Sequence, residues 1–357
     1  MRFSSLRGAL AFSFSVSLLA TTTPAMAEPP MMKEQSVRPR IEARSKDGRY
    51  SVALGGFLQG RYTLVARDFE LESSSFDTPR TRLYAFGHVH SPNVRYRLML
   101  GTPASSIHPE LYDAYVDFRA TDAIGFRAGR FKIPVFREWV ETARMIASVE
   151  RTSLTQTLAP GRSYGVLASG ELFAAHVDYA VGVFNGVGRI SEAGAAVESP
   201  VVAGRAAWNL MGRSIEGEVD FLDSPRTVVV GLSGYTTLDP ARATAGGFEM
   251  AYRGHGLDVT LELMGQSQRT TTGSRTVAGL YARADRYIPS LRSGFGARVT
   301  RIVGADAPEL TRTELELDAA YYAAEHDLKI VANVGLARRH EARAWEPFVM
   351  VQAQAAF

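Results

Sequence analysis

The sequence predicts an all-β fold: a transmembrane antiparallel β-barrel of about sixteen strands. Three observations predict it. Apolar residues recur with a period of two from Tyr50 to the C-terminus, connections alternate between short and long, and charged residues occupy the alternate positions of many strands. A soluble sandwich would share the period, but not so many charges on the second face or the alternation of loop lengths.

Composition bounds the reading first. The chain has 357 residues, 46% hydrophobic and 22% charged, with no Cys. That is too apolar for disorder, and it excludes a disulfide scaffold, Cys-ligated zinc and thiol catalysis. No apolar run beyond the N-terminal one reaches the roughly 18 residues that a membrane helix needs. The 40 Lys and Arg nearly balance the 37 Asp and Glu. Bulk electrostatics therefore give no reason to expect a nucleic-acid partner.

Residues 1–27 carry a secretory signal pattern. Arg2 and Arg7 precede an apolar stretch from Gly8 to Ala20, and Ala25-Met26-Ala27 supplies a small-residue cleavage site. Residues 28–48 form a short polar linker, and the barrel is expected over 49–357.

Strands are expected to begin near residues 50, 79, 93, 110, 123, 162, 175, 201, 226, 246, 256, 276, 292, 311, 327 and 347. In one of them Val94, Tyr96, Leu98 and Leu100 alternate with Arg95, Arg97 and Met99. In another, Leu257, Val259, Leu261 and Leu263 alternate with Asp258, Thr260 and Glu262. Tight connections fall at Ser91-Pro92-Asn93, Ala120-Thr121-Asp122 and Gly254-His255-Gly256, and the stretch 133–161 is by far the longest. The stretch 211–225 breaks the alternation. The chain closes on a strand that follows Pro347 and ends in Phe357, an aromatic terminus of the kind that marks bacterial outer-membrane barrels. Sixteen strands enclose an aqueous channel, whereas eight are filled by side chains.

Residues 79–188 resemble the phosphate-selective porins of the porin O/P type. The resemblance is carried by Pro79-Arg80-Thr81-Arg82-Leu83, Leu111-Tyr112-Asp113-Ala114-Tyr115-Val116-Asp117, Gly129-Arg130-Phe131-Lys132-Ile133-Pro134 and Val149-Glu150-Arg151. Leu158-Ala159-Pro160-Gly161-Arg162 with Gly165, and Gly182-Val183-Phe184-Asn185-Gly186, complete it. It implies a trimeric outer-membrane barrel whose third external loop folds into the pore, and selectivity for anions, phosphate among them. The expected partners are then small anions, membrane lipid and two further copies of the chain, with no cofactor.

The residues themselves place a basic path along one wall: Arg80, Arg82, Arg95, Arg97 and Arg127 on the expected lumen parity, with Arg130, Lys132 and Arg162 flanking the long loop and Arg137 and Arg144 on it. Arginine rings favour anions and grip phosphate oxygens in pairs. Against this stand Asp113 and Asp117 between the basic strands, and Glu249, Glu262, Glu314, Glu316 and Asp318, expected on the far wall. Facing walls of opposite sign describe a general diffusion porin with mild ion preference equally well. An enzyme has the weakest support. There is no G-x-S-x-G, H-E-x-x-H or P-loop motif, and His88 with His90 is the only close histidine pair.

Overall fold

A computed structural model describes residues 41–67, 70–103, 108–187, 199–214, 216–222, 225–238, 242–270, 273–340 and 344–357. The signal segment 1–27 and the linker residues 28–40 lie outside them. Among the described residues there are seventeen strands: β1 (Ile41–Arg44), β2 (Ser51–Arg67), β3 (Glu70–Val89), β4 (Ser91–Pro103), β5 (Glu110–Arg119), β6 (Gly125–Lys132), β7 (Arg162–Leu172), β8 (Val177–Phe184) and β9 (Val201–Met211), followed by β10 (Thr227–Thr237), β11 (Ala243–Gly254), β12 (Leu257–Thr270), β13 (Gly273–Ile288), β14 (Ser293–Gly304), β15 (Arg312–Ala324), β16 (Leu328–Arg339) and β17 (Glu346–Ala356). Two short helices, α1 (Arg137–Val140) and α2 (Ser153–Leu158), sit in the long connection between β6 and β7.

β2 to β17 pair antiparallel in chain order, and β17 closes on β2 with Phe348 opposite Val65 and Ala356 opposite Phe57. This is a sixteen-stranded barrel with no free edge, so apart from local register slips the backbone groups of the spanning strands find ladder partners. β1 falls within the stretch read as linker. It pairs with Ser51–Leu54 and fills the side of β2 that β17 leaves uncovered beyond Phe357.

Strand starts match the expected positions within three residues except in β3, which begins at Glu70 rather than near 79. The Ser73-Ser74-Ser75 run, ahead of the expected start, already pairs with β2. Pro79, which lacks an N–H, falls where the β2–β3 register slips between Gln59 and Arg61, so its missing donor interrupts no ladder bond. The turn between β11 and β12 puts His255 and Gly256 at φ 57° and 77°, the left-handed pair that lets a tight hairpin follow the strand twist.

The outward face is apolar: Leu317 is 66% exposed and Leu232 62%, beside Leu98, Val166 and Val334. Charges point inward and are buried, with Asp113 at 0% and Glu262 at 1% exposure. This inversion of a soluble core is the pattern of a barrel in lipid. The inner wall is not polar throughout, however. Leu167, Phe184, Val201, Ala203, Tyr235, Met264, Val277 and Ile302 also face inward and form one buried apolar cluster.

Candidate functional site

That cluster exists to receive the long connection. Its inward face packs against Ile133, Val135, Phe136, Leu154 and Leu158 of residues 133–161, all at most 1% exposed. The loop therefore lies inside the lumen. Residues 136–151 are rich in helix formers, but α1 ends at Val140 and the chain runs through turns and bends, with no helix, to Thr152. The barrel wall supplies the reason, because it satisfies the loop backbone from all sides. Ser233 Oγ accepts from Phe136 N–H at 3.0 Å, and Asn333 Oδ1 accepts from Val149 N–H at 3.0 Å. Lys329 Nζ donates to the Ile146 carbonyl at 2.7 Å, and Arg298 Nη1 to that of Glu150 at 2.9 Å.

Two contacts fix where the loop turns in. Phe136 has a left-handed φ of 58° and no capping side chain, so Glu262 of β12 caps α1 from across the lumen, accepting from the Arg137 and Glu138 N–H groups at 2.6 and 3.2 Å. The Phe136 ring lies over Gly247 of β11, where a Cβ would sit 2.8 Å from ring carbon Cδ1. Gly247→Val is expected to destabilise the barrel by about 1–3 kcal/mol through overpacking. Gly246→Val is the control, since a Cβ there meets nothing closer than 3.8 Å. Thermal loss of the β-sheet circular dichroism signal distinguishes the two.

A second segment enters from the opposite end. The stretch that breaks the loop alternation, between β9 and β10, starts at the end carrying the short turns and folds into the barrel. Glu218 N–H donates to the Met145 carbonyl at 3.0 Å, and its carboxylate accepts from Ala147 N–H at 2.9 Å. Val219 and Phe221 pack with Ala147, Val149, Tyr287, Tyr322 and Val331. The lumen is thus filled from both ends, and the two insertions meet.

The ten basic residues read from the sequence fare differently. Arg80 is bonded to Glu150 of the loop and donates to Gln59 Oε1 at 3.0 Å. Arg82 stacks on Tyr112 at 3.8 Å and donates to the Thr81 and Thr102 carbonyls. Arg95 lies near the turn end and donates to the Pro92 carbonyl. Arg97 sits over Tyr84, 4.0 Å from Asp113, and Arg162 donates to the same aspartate at 2.7 Å. Arg127 makes a two-pronged pair with Asp117 at 2.7 and 3.0 Å. Lys132 donates to the Val140 and Glu141 carbonyls, Arg137 lies 3.8 Å from Glu249, and Arg144 pairs with Asp327. Arg130 stands apart. It shares the outward parity of its register partners Ala114 and Tyr164, stacks on Tyr164 at 5.6 Å, and donates to the Leu111 carbonyl.

Arg80, Arg82, Arg97, Arg127 and Arg162 therefore do converge on one wall, but most are held by carboxylates or carbonyls. Sequence reasoning left out Arg61, which pairs with Asp77 at 2.7 Å and reaches Glu150 at 3.5 Å, and Arg151, which donates to the Glu138 and Glu141 carbonyls. Arg61 shares the lumen parity of Gln59, which is the signal that finds it. Burial opposes ionisation of Glu150, but Arg80 and Arg151 beside it bring its pKa below the ordinary value. Glu141 has its pKa raised, first by burial and then by Glu218.

The far wall is not a plain acidic face either. Its carboxylates are interleaved with arginines that the sequence reading passed over: Arg205 with Glu249, Arg253 with Asp258, Arg283 with Asp258 and Asp285, and Arg298 with Glu316. The contrast survives in the balance. The β2–β7 wall carries Arg61, Arg80, Arg82, Arg97, Arg127, Lys132 and Arg162 against Asp77, Asp113 and Asp117. The β9–β15 wall carries Glu249, Asp258, Glu262, Asp285, Glu314, Glu316 and Asp318 against Arg205, Arg253, Arg283, Arg298 and Arg312. His88 is spoken for by Ser51 Oγ at 2.7 Å and the Gly48 carbonyl at 2.9 Å.

Solved structures share this fold. The anion-selective porin from Comamonas acidovorans superposes with a TM-score of 0.62 at 11% identity, covering 86% of this chain and 100% of that one. The outer membrane channel DcaP of Acinetobacter baumannii gives 0.59 at 11% identity over 88% and 99% of the two chains. OprB of Pseudomonas putida gives 0.59 at 10% identity over 87% and 95%. No protein-family model and no curated protein matches the chain. At these identities the likeness is one of fold, the sixteen-stranded barrel of bacterial outer-membrane porins.

Proposed function

We propose that this chain is an outer-membrane porin that passes small anions by diffusion, with phosphate or a related oxyanion as the favoured solute. The observation that carries the reading is the unequal division of charge across the lumen. The β2–β7 wall keeps more basic than acidic residues after every pair is formed, and Arg61, Arg80 and Arg162 remain partly accessible, at 15, 12 and 15% side-chain exposure. Arginine suits this task because its guanidinium stays charged and offers several donors to one oxyanion. The apolar outer face supports placement in lipid, and the motifs of residues 79–188 support a trimer and phosphate as cargo. The solved structures are porins and channels of the same barrel; one of them is named anion-selective.

A second reading has its own observation. Because Arg127, Arg144 and Arg162 are paired with carboxylates, the net field along the path is weak, which suits a general diffusion porin. The two readings part on substitution. Arg61→Gln, Arg80→Gln and Arg162→Gln each remove one positive charge from the accessible group, and together they are expected to shift the reversal potential in a KCl gradient away from the chloride value. An unchanged reversal potential in the triple variant would remove these residues from the solute path.

A further inference from the structure

The short turn between β15 and β16 holds His326, which is 5% exposed and stands where the two insertions meet. We propose that neutral His326 latches the turn end of the lumen shut and that protonation frees segment 216–222. Its consequence for conduction rests on the porin reading; the latch itself does not.

The donor inventory fixes the neutral state. His326 Nδ1 lies 3.3 Å from Lys329 Nζ, and the same ammonium donates to the Ile146 carbonyl of the long loop. With Lys329 as an ammonium, which has no lone pair, Nδ1 accepts and the ring proton sits on Nε2, a buried nitrogen with no hydrogen-bond partner among the described residues. That nitrogen faces segment 216–222: a Cβ on Gly217 would lie 3.5 Å from it. The ring packs edge-on against Phe221 of the segment at 5.1 Å and against Tyr322 at 5.8 Å. Its own carbonyl accepts from Gln354 Nε2, which also donates to the Arg144 carbonyl. One residue thus joins the turn, the loop tip and the inserted segment.

A second proton has to go on Nδ1. It turns an acceptor into a donor facing an ammonium, breaking the bond and bringing two cations together. The surroundings sharpen the conflict: Lys329 on β16, Arg144 on the loop, Arg253 on β11 and Arg283 on β13 all bear on the ring. The acids at the junction are committed elsewhere. Glu218 holds Ala147 N–H and lies 3.4 Å from Arg283, and Asp327 pairs with Arg144. Burial first, and then these cations, hold the His326 pKa well below the ordinary histidine value. The sign follows. Between the ordinary and the depressed pKa an unlatched histidine binds a proton that a latched one refuses, so the latch weakens as pH falls through that window and is at full strength above it.

The absence of Cys gives a test that needs no conduction. Val219→Cys places a single thiol in the buried segment, 6% exposed, and Phe173→Cys gives an open reference at 75%. A pyridyl disulfide reagent, which reacts with thiols in acid, is applied to the folded barrel at pH 7 and at about pH 4.5. Labelling at position 219, divided by that at 173, is expected to rise by about tenfold or more in acid with His326 present. It is expected to stay flat with His326→Phe, which keeps the ring packing, and with His326→Gln, which keeps an acceptor for Lys329. Equal acid acceleration in the variants would assign the effect to Lys329, Glu218 or Asp327 and overturn the proposal; so would no acceleration in the parent. A labelling response in protein that forms no channels would overturn the porin reading and leave the latch standing.

Discussion

Replacing residues 139–152 by a Gly-Ser stretch of equal length is expected to raise single-channel conductance at least about threefold, because a sixteen-stranded wall alone encloses a wide aqueous lumen. Equal length keeps the span between β6 and β7, so only the anchors are lost. Those anchors are specific. Asn333 holds Val149, Lys329 holds Ile146, and Arg298 holds Glu150, each through the loop backbone. Planar-bilayer recordings at one salt concentration check the expectation. A conductance equal to that of the parent would mean that the loop does not set the narrowest cross-section.

The second large effect concerns stability. Arg298 donates to Glu316 at 2.8 Å through Nη2, lies 3.6 Å from Glu138, and is 5% exposed. Arg298→Ala leaves two buried carboxylates without their cation, and removing one partner of such a group costs about 3–5 kcal/mol. By contrast, Arg44→Ala breaks only the exposed pair with Glu42 and is expected to stay within about 0.5 kcal/mol. Denaturant unfolding in detergent measures both. A small cost at Arg298 would mean that water reaches Glu316 and that the lumen is wetter than its packing implies.

Much of the barrel is legible in the sequence because a strand in lipid needs strict alternation, and turn chemistry such as Gly254-His255-Gly256 marks its ends. The inner apolar cluster is not legible, because around Val201-Val202-Ala203 both parities are apolar and a period of two carries no face information. The inserted segment 216–222 has no period, so it reads only as an irregularity in loop length. The candidate site is legible as residue types but not as pairs. Arg162 meets Asp113 from 49 residues away, Arg80 meets Glu150 from 70, and Arg144 meets Asp327 from 183, and only register and the inward path of the loop bring them together. Arg130 is read as flanking the loop, and the unbroken alternation of β6, with Arg127 inward, places it on the outer face.

Those pairings explain why the division of charge, rather than any single arginine, carries the functional reading. The most direct measurement is the reversal potential of the purified protein in a planar bilayer across a KCl gradient, followed by titration with inorganic phosphate. A potential on the chloride side of zero, with chloride current falling as phosphate is added, is the predicted result. A potential on the potassium side, or folded protein that opens no channels, would contradict the account.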